Sequence, residues 1–209
     1  MVIKSFITAL FTLATLSLSA QENMQHISSL NLGKKEKKVF SSRDSSITLH
    51  IDTLIMGDKS SIQFIGKKEV KLIIGYALIS KNAAIYGTDG QHNGSNFDIS
   101  INIQKLGSLY LIARGQDAFN GTKTLPNGNA GNVHIQLAKQ SIQPQQTDKK
   151  APNYLFVDLR PGGLNVNATS DLRNIYSQIK LSSGTGGLRG VPQGQIYSGS
   201  PGKEGKLTI

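Results

Sequence analysis

Ile47-Thr48-Leu49-His50-Ile51 alternates apolar and polar residues, and 23 positions on (47 to 70) the stretch Val70-Lys71-Leu72-Ile73-Ile74 begins the same design. The correspondence extends outward. Ala77 and Leu78 take the places of Leu54 and Ile55, and Ile85 takes that of Ile62 in Ser61-Ile62-Gln63-Phe64. A third pass runs through Ile99, Ile101 and Ile103, then Leu106, Leu109, Leu111 and Ala113. A fourth starts at Val133, Ile135 and Leu137 and resumes at Leu155, Val157 and Leu159 after the polar stretch 138–152. A period of two puts one face of each segment into a core, which is the mark of a β-strand.

Two short strands per unit, recurring at a near-regular offset, are what successive coils of a parallel β-helix require. One coil cannot bury its inward side chains alone; its neighbours in the stack supply the missing contacts. The spacing between units grows from 23 (47 to 70) to 29 (70 to 99) to 34 (99 to 133), and most of the excess falls in Gly/Asn-rich loops. An antiparallel β-sandwich is the alternative, since it also strings together short alternating strands. Its hairpins would favour two-residue turns, whereas Asp89-Gly90 and Asn93-Gly94 share one longer loop.

The loops have a rhythm of their own. Gly87 and Gly90 are three apart, as are Gly128 and Gly131, and the pattern intensifies in Gly184, Gly187, Gly190, Gly199, Gly202 and Gly205. A three-residue repeat suits an extended polyproline-II-like path, with glycine wherever a neighbouring backbone comes close. Gly-X-Y loops lying side by side along one flank of the solenoid are expected, with a flexible tail as the alternative for 184–205.

Alternating strands followed by Ala113-Arg114-Gly115-Gln116-Asp117, a Gly/Asn-rich loop and Gly131-Asn132-Val133-His134-Ile135 resemble bacterial exported right-handed parallel β-helix proteins with glycine-rich loops. The resemblance covers roughly 47–163 and implies a fold rather than an activity. Relatives of that architecture include polysaccharide lyases, hydrolases and adhesins. No signature of the enzymes maps onto particular positions of this sequence.

The N-terminus has the layout of an export signal: Lys4, then the uncharged, largely apolar run Ser5 to Ser17, then small residues at Ser17, Ser19 and Ala20. That run is shorter than the roughly 20 apolar residues of a spanning helix, so the chain is not expected to be transmembrane. The organisation expected is a signal peptide over 1–20, a basic lead-in over 21–46, the β-helix over 47–183 and a Gly-rich segment over 184–209. Cysteine is absent, so a secreted, surface or periplasmic location would bring no disulfide stabilisation. Tripeptides starting at Asn93, Asn120 and Asn167 match glycosylation acceptors and are expected to be turns in a bacterial protein. The net charge of +10 suits an anionic glycan or another cell-envelope component, and export argues against nucleic acid. The dense run Lys34-Lys35-Glu36-Lys37-Lys38 is expected to be a solvated approach to the first strand.

Chemistry is sparse. Glycosidase action needs two carboxylates across a cleft, and Asp89, Asp98 and Asp117 are isolated in different loops. No nucleophile elbow or phosphate loop is present, and no histidine pair has a metal-like spacing. The loop residues Asp89, His92, Asn93 and Asn96, with Asp117 and Asn120, are the candidate binding residues. Their oxygens make calcium the one cofactor to consider. Trp is absent; Tyr76, Tyr86 and Tyr110 remain as possible stacking surfaces. A non-catalytic interaction module is the leading expectation, then a binder of anionic polysaccharide, then a polysaccharide-active enzyme. Mass spectrometry of the exported protein should find a mature N-terminus at Gln21, or at Ala20 one residue earlier; retained Met1 would contradict the export reading.

Overall fold

The computed structural model describes residues 24–118, 125–164 and 200–209. The expected signal peptide, Asn120, Asn167 and residues 184–199 of the Gly-rich segment lie outside them. The described residues form strands and no helix, so no helix among them is long and apolar enough to cross a membrane.

The odd-numbered strands are β1 (Met24–Leu32), β3 (Ser46–Met56), β5 (Glu69–Ile79), β7 (Asn96–Leu106), β9 (Val133–Leu137) and β11 (Leu207–Thr208). They make one sheet in the order β1-β3-β5-β7-β9-β11. The even-numbered strands are β2 (Lys37–Phe40), β4 (Ser61–Ile65), β6 (Ala83–Thr88), β8 (Ser108–Ile112) and β10 (Tyr154–Asp158), and they make the second sheet in the order β10-β8-β6-β4-β2. Every ladder between these strands is parallel. The chain thus winds alternately through the two sheets as a short parallel β-helix, and the antiparallel sandwich is excluded.

The core is a set of columns, each formed by one inward position read from coil to coil. Leu49, Leu72, Ile99 and Ile135 make one column; Ile51, Ile74, Ile101 and Leu137 make the next. Ile62, Ile85, Leu111 and Val157 line the opposite sheet. All but Leu137 and Val157, which are partly buried, are nearly sealed from solvent. Phe40 stacks on Phe64 with ring centres 5.3 Å apart, and Phe97 meets Phe64 edge-on at 6.0 Å. Gly87 lies opposite Phe64 in the ladder, and the Phe97 ring occupies the space its side chain would need. Large and small residues therefore alternate to keep the interior filled.

Two expectations need correction. The basic lead-in over 21–46 contains the two strands of a first coil: Leu30 and Leu32 pair with Leu54 and Met56 and are buried with them. Its many exposed residues hid the pattern. The run Lys34–Lys38 does not precede the first strand but turns the chain from β1 into β2. Second, Leu72 faces Ile99, an offset of 27, and Ile99 faces Ile135, an offset of 36. The sequence pattern suggested 29 and 34. A shift of two leaves every side chain on its own face, so alternation cannot detect it; Phe97, opposite Val70, begins the inward pattern of its strand. A local register irregularity at Ala77, which faces Ile103, leaves the offset at 27 on either side.

Lys67 has no exposed surface. Its Nζ donates to the Ser42 carbonyl at 3.0 Å and also to Ser42 Oγ and the Asp44 carbonyl, which gives three acceptors for the three protons of an ammonium group. The side chain thereby ties the connection from β2 to β3 under the corner of the next coil. Leu72→Asp should abolish folding, because a buried unpaired carboxylate costs several kcal/mol, about the ~5–15 kcal/mol stability of a domain. Lys67→Met should leave the fold intact but lower its stability by about 1–3 kcal/mol, since the Ser42 and Asp44 carbonyls lose their donor. Urea unfolding of both variants measures this; a wild-type midpoint for either would contradict the packing described.

Candidate functional site

Of the side chains expected to bind a ligand, those of Asp89, Asn93, Asn96 and Asp117 are engaged in holding loops together. Asp89 Oδ1 accepts from the backbone N–H groups of Gln91 and Asn93 at 2.7 and 3.0 Å, and Oδ2 accepts from Asn93 Nδ2 at 2.7 Å. This is how an Asp in a tight turn replaces backbone partners. Asn93 Oδ1 accepts from Asn129 N, and Asn129 Oδ1 from Lys203 N, both at 2.8 Å. The same device recurs three residues on: Asn96 Oδ1 accepts from Asn132 N at 2.8 Å, and Asn132 Oδ1 from Lys206 N at 3.0 Å. Asp117 Oδ1 accepts from Gly163 N at 2.7 Å. His92 sits at φ 71° with Nδ1 buried and without a hydrogen-bond partner, while its carbonyl accepts from Gln116 N at 2.8 Å.

These two asparagine ladders run beside extended backbone packed at very short range. Gly128 N donates to Gln116 O, Gly162 N to Gly128 O and Gly202 N to Gly162 O. A Cβ on Gly128 would collide with the His92 carbonyl, and one on Gly131 with the Ser95 carbonyl. Glycine is required there because peptide groups of different coils touch directly. The connections 89–95 and 113–132 leave the even-numbered sheet and return to the odd-numbered one, whereas the long connection 138–153 lies at the opposite corner, between β9 and β10.

The outer face of the even-numbered sheet carries aromatic residues. Tyr86 and Phe156 are exposed, and the Tyr110 ring lies 5.9 Å from that of Phe156 and 6.0 Å from that of Tyr154. Tyr86 and Tyr110 thus share a face; Tyr76 stands on the other sheet. An open groove of about 550 Å³ runs past Gln63, Tyr86, Thr88, Arg114 and Gln116 to Asp158. Asp158 is nearly sealed and accepts from Arg160 Nε at 2.8 Å and Nη2 at 2.7 Å. The Arg160 hydrogen bonds hold its carboxyl below the usual range against the opposing effect of burial, and the Arg114 charge adds to the lowering. Arg114 is exposed, and among the described residues no carboxylate lies within ion-pair distance of it.

Two further arrangements arise from stacking. At the opposite corner, where the odd-numbered sheet passes into the even-numbered one, Lys35 and Lys59 take positive φ in successive turns and Asn82 does so in the next. Lys35 N donates to Asp58 O and Lys59 N to Lys81 O, which aligns Lys34, Lys35, Lys59 and Lys81 along the corner. The two acids of those turns face backbone donors: Glu36 Oε2 accepts from Gly33 N at 2.6 Å and Asp58 Oδ1 from Lys81 N at 3.0 Å. On the outer face of the odd-numbered sheet, His26 and His50 are register partners. With Asp52 they form the one group of potential metal ligands found among the described residues. No histidine pair looked metal-like in the sequence because stacking, not local spacing, makes this one.

Asn129→Ala should cost about 1–3 kcal/mol, because the Lys203 N–H loses its acceptor, and Gly131→Val should lower the melting temperature further by forcing two backbones apart. Thermal melts followed by circular dichroism test both, and wild-type melting of Gly131→Val would refute the close packing. Compared with known protein families, curated proteins and solved structures, the chain shows no significant match.

Proposed function

We propose that this chain is a non-catalytic, exported interaction module that engages an anionic polysaccharide of the cell envelope along its lysine-lined corner. The observation that carries this reading is the alignment of Lys34, Lys35, Lys59 and Lys81 beside acids already turned toward backbone donors. Neighbouring coils lie about 4.8 Å apart, so the turns that carry these lysines follow one another in a row along the corner. Such a row raises the local concentration of a polyanion and is screened by salt. The net charge of +10 acts in the same direction. The engagement of Asp89 and Asp117 in loop structure supports the non-catalytic part of the reading.

Retention on immobilised alginate should fall steeply with salt. Replacing Lys34, Lys35, Lys59 and Lys81 together by Gln should weaken binding by roughly tenfold or more, since exposed ion pairs contribute about 0.2–1 kcal/mol each. A charge-matched control altering Lys68, Lys71, Lys203 and Lys206, all exposed and away from that corner, should bind nearly as the wild type does. Equal losses in both variants would show that retention tracks net charge alone. No retention by the wild type would leave a purely structural module.

A further inference from the structure

The outer face of the odd-numbered sheet presents a group that the polysaccharide reading does not use. His26 on β1 lies opposite His50 on β3, with ring centres 5.0 Å apart and ring planes inclined by 40°. Asp52, two residues beyond His50 on the same face, accepts a hydrogen bond at 2.9 Å between its Oδ1 and His26 Nε2. One ligand atom from each of the three side chains lies within 4.8 Å of the other two. We propose that His26, His50 and Asp52 form a binding site for a divalent transition-metal ion of the zinc class, which pins β1 to β3.

The donor set and its spacing argue for this class. Two imidazoles and one carboxylate suit zinc and its neighbours better than calcium or magnesium, which prefer oxygen shells. Zinc bonds of about 2.0–2.2 Å place tetrahedral ligand atoms roughly 3.3 Å apart. The observed spacings bracket that value, and small rotations of these partly or fully exposed side chains close the difference. Three protein ligands leave a fourth position for water. In the next coil Ile73 lies opposite His50, and Gly75 follows it at the step beside Asp52. No bulky side chain at position 75 therefore crowds the carboxylate.

The consequence falls on β1. Among the described residues β1 has β3 as its only ladder partner, and within it only Leu30 and Leu32 are buried. Its first half is held by the backbone ladder, by the partly buried Ile27 and by the His26–Asp52 bond. A metal bridging His26 to His50 and Asp52 would fasten that half to the second coil. A comparison is built into the same sheet: His134 Nδ1 lies 3.2 Å from Asp98 Oδ1, but the ladder continues to Lys71 on one side and Thr208 on the other. That pair has no second histidine.

The test is calorimetric titration of untagged protein with Zn2+, together with hydrogen–deuterium exchange. One ion per chain should bind. His26→Gln, His50→Gln and Asp52→Asn should each weaken binding by at least about tenfold, while His134→Gln binds as the wild type does. Zn2+ should slow amide exchange over 24–29 in the wild type but not in His50→Gln, whose unchanged far-ultraviolet circular dichroism would show that it folds. The proposal is overturned if the wild type does not bind Zn2+, if binding survives His50→Gln, or if His134→Gln weakens it equally. Alginate retention rests on the other corner and should be indifferent to these substitutions, so the two readings fail separately.

Discussion

Each coil of this protein buries its inward side chains against the same positions of the coils beside it, and everything else in the structure depends on that stacking. The ladder hydrogen bonds set the register and the apolar columns reward it, so neither is stable without the other. This explains why Leu49, Leu72 and Ile99 can belong to segments of quite different surroundings and still be interchangeable in kind. It also explains where variation is tolerated. Corners lie outside the columns, and they accept long insertions, as at 113–132 and 138–153, while the strands they join stay in register.

Stacking of irregular backbone is harder than stacking of strands, because loops have no ladder of their own. Buried N–H groups must nevertheless find acceptors. The growing corner solves this with asparagine side chains repeated from coil to coil, as in Asn93 to Asn129 and Asn96 to Asn132, and with glycines that let peptide groups touch. Asp89, Asn93, Asn96 and Asp117, which looked like ligand-binding groups, act in this arrangement as internal fastenings. The opposite corner stays short in its first coils, where the lysines line up, and lengthens only at 138–153.

The architecture was legible because two coils, from Ile47 and from Val70, repeat at an unbroken offset with like residues at like places. What the sequence concealed follows a physical pattern. The first coil was obscured because β1 is exposed along most of its length, so its alternation carries few apolar residues. The later offsets were each misplaced by two, the one error that alternation cannot reveal. Lys67 gave no sign of burial, since its acceptors are the Ser42 side chain and carbonyls of a separate loop. His26, His50 and Asp52 are brought together by a rung of the ladder, a relationship visible only once the register is known.

The same register has a consequence at the β2 end of the stack. Lys38 occupies the column of Ile62, Ile85, Leu111 and Val157, and Gln25 that of Leu49, Leu72, Ile99 and Ile135. Parallel, in-register strands are the arrangement from which fibrils grow, and an apolar residue at either position would offer another chain a matching rung. A lysine on an edge strand makes that addition costly, because its charge would have to be buried on pairing. Polar residues at these two positions therefore act as a stop signal at this end of a self-templating geometry.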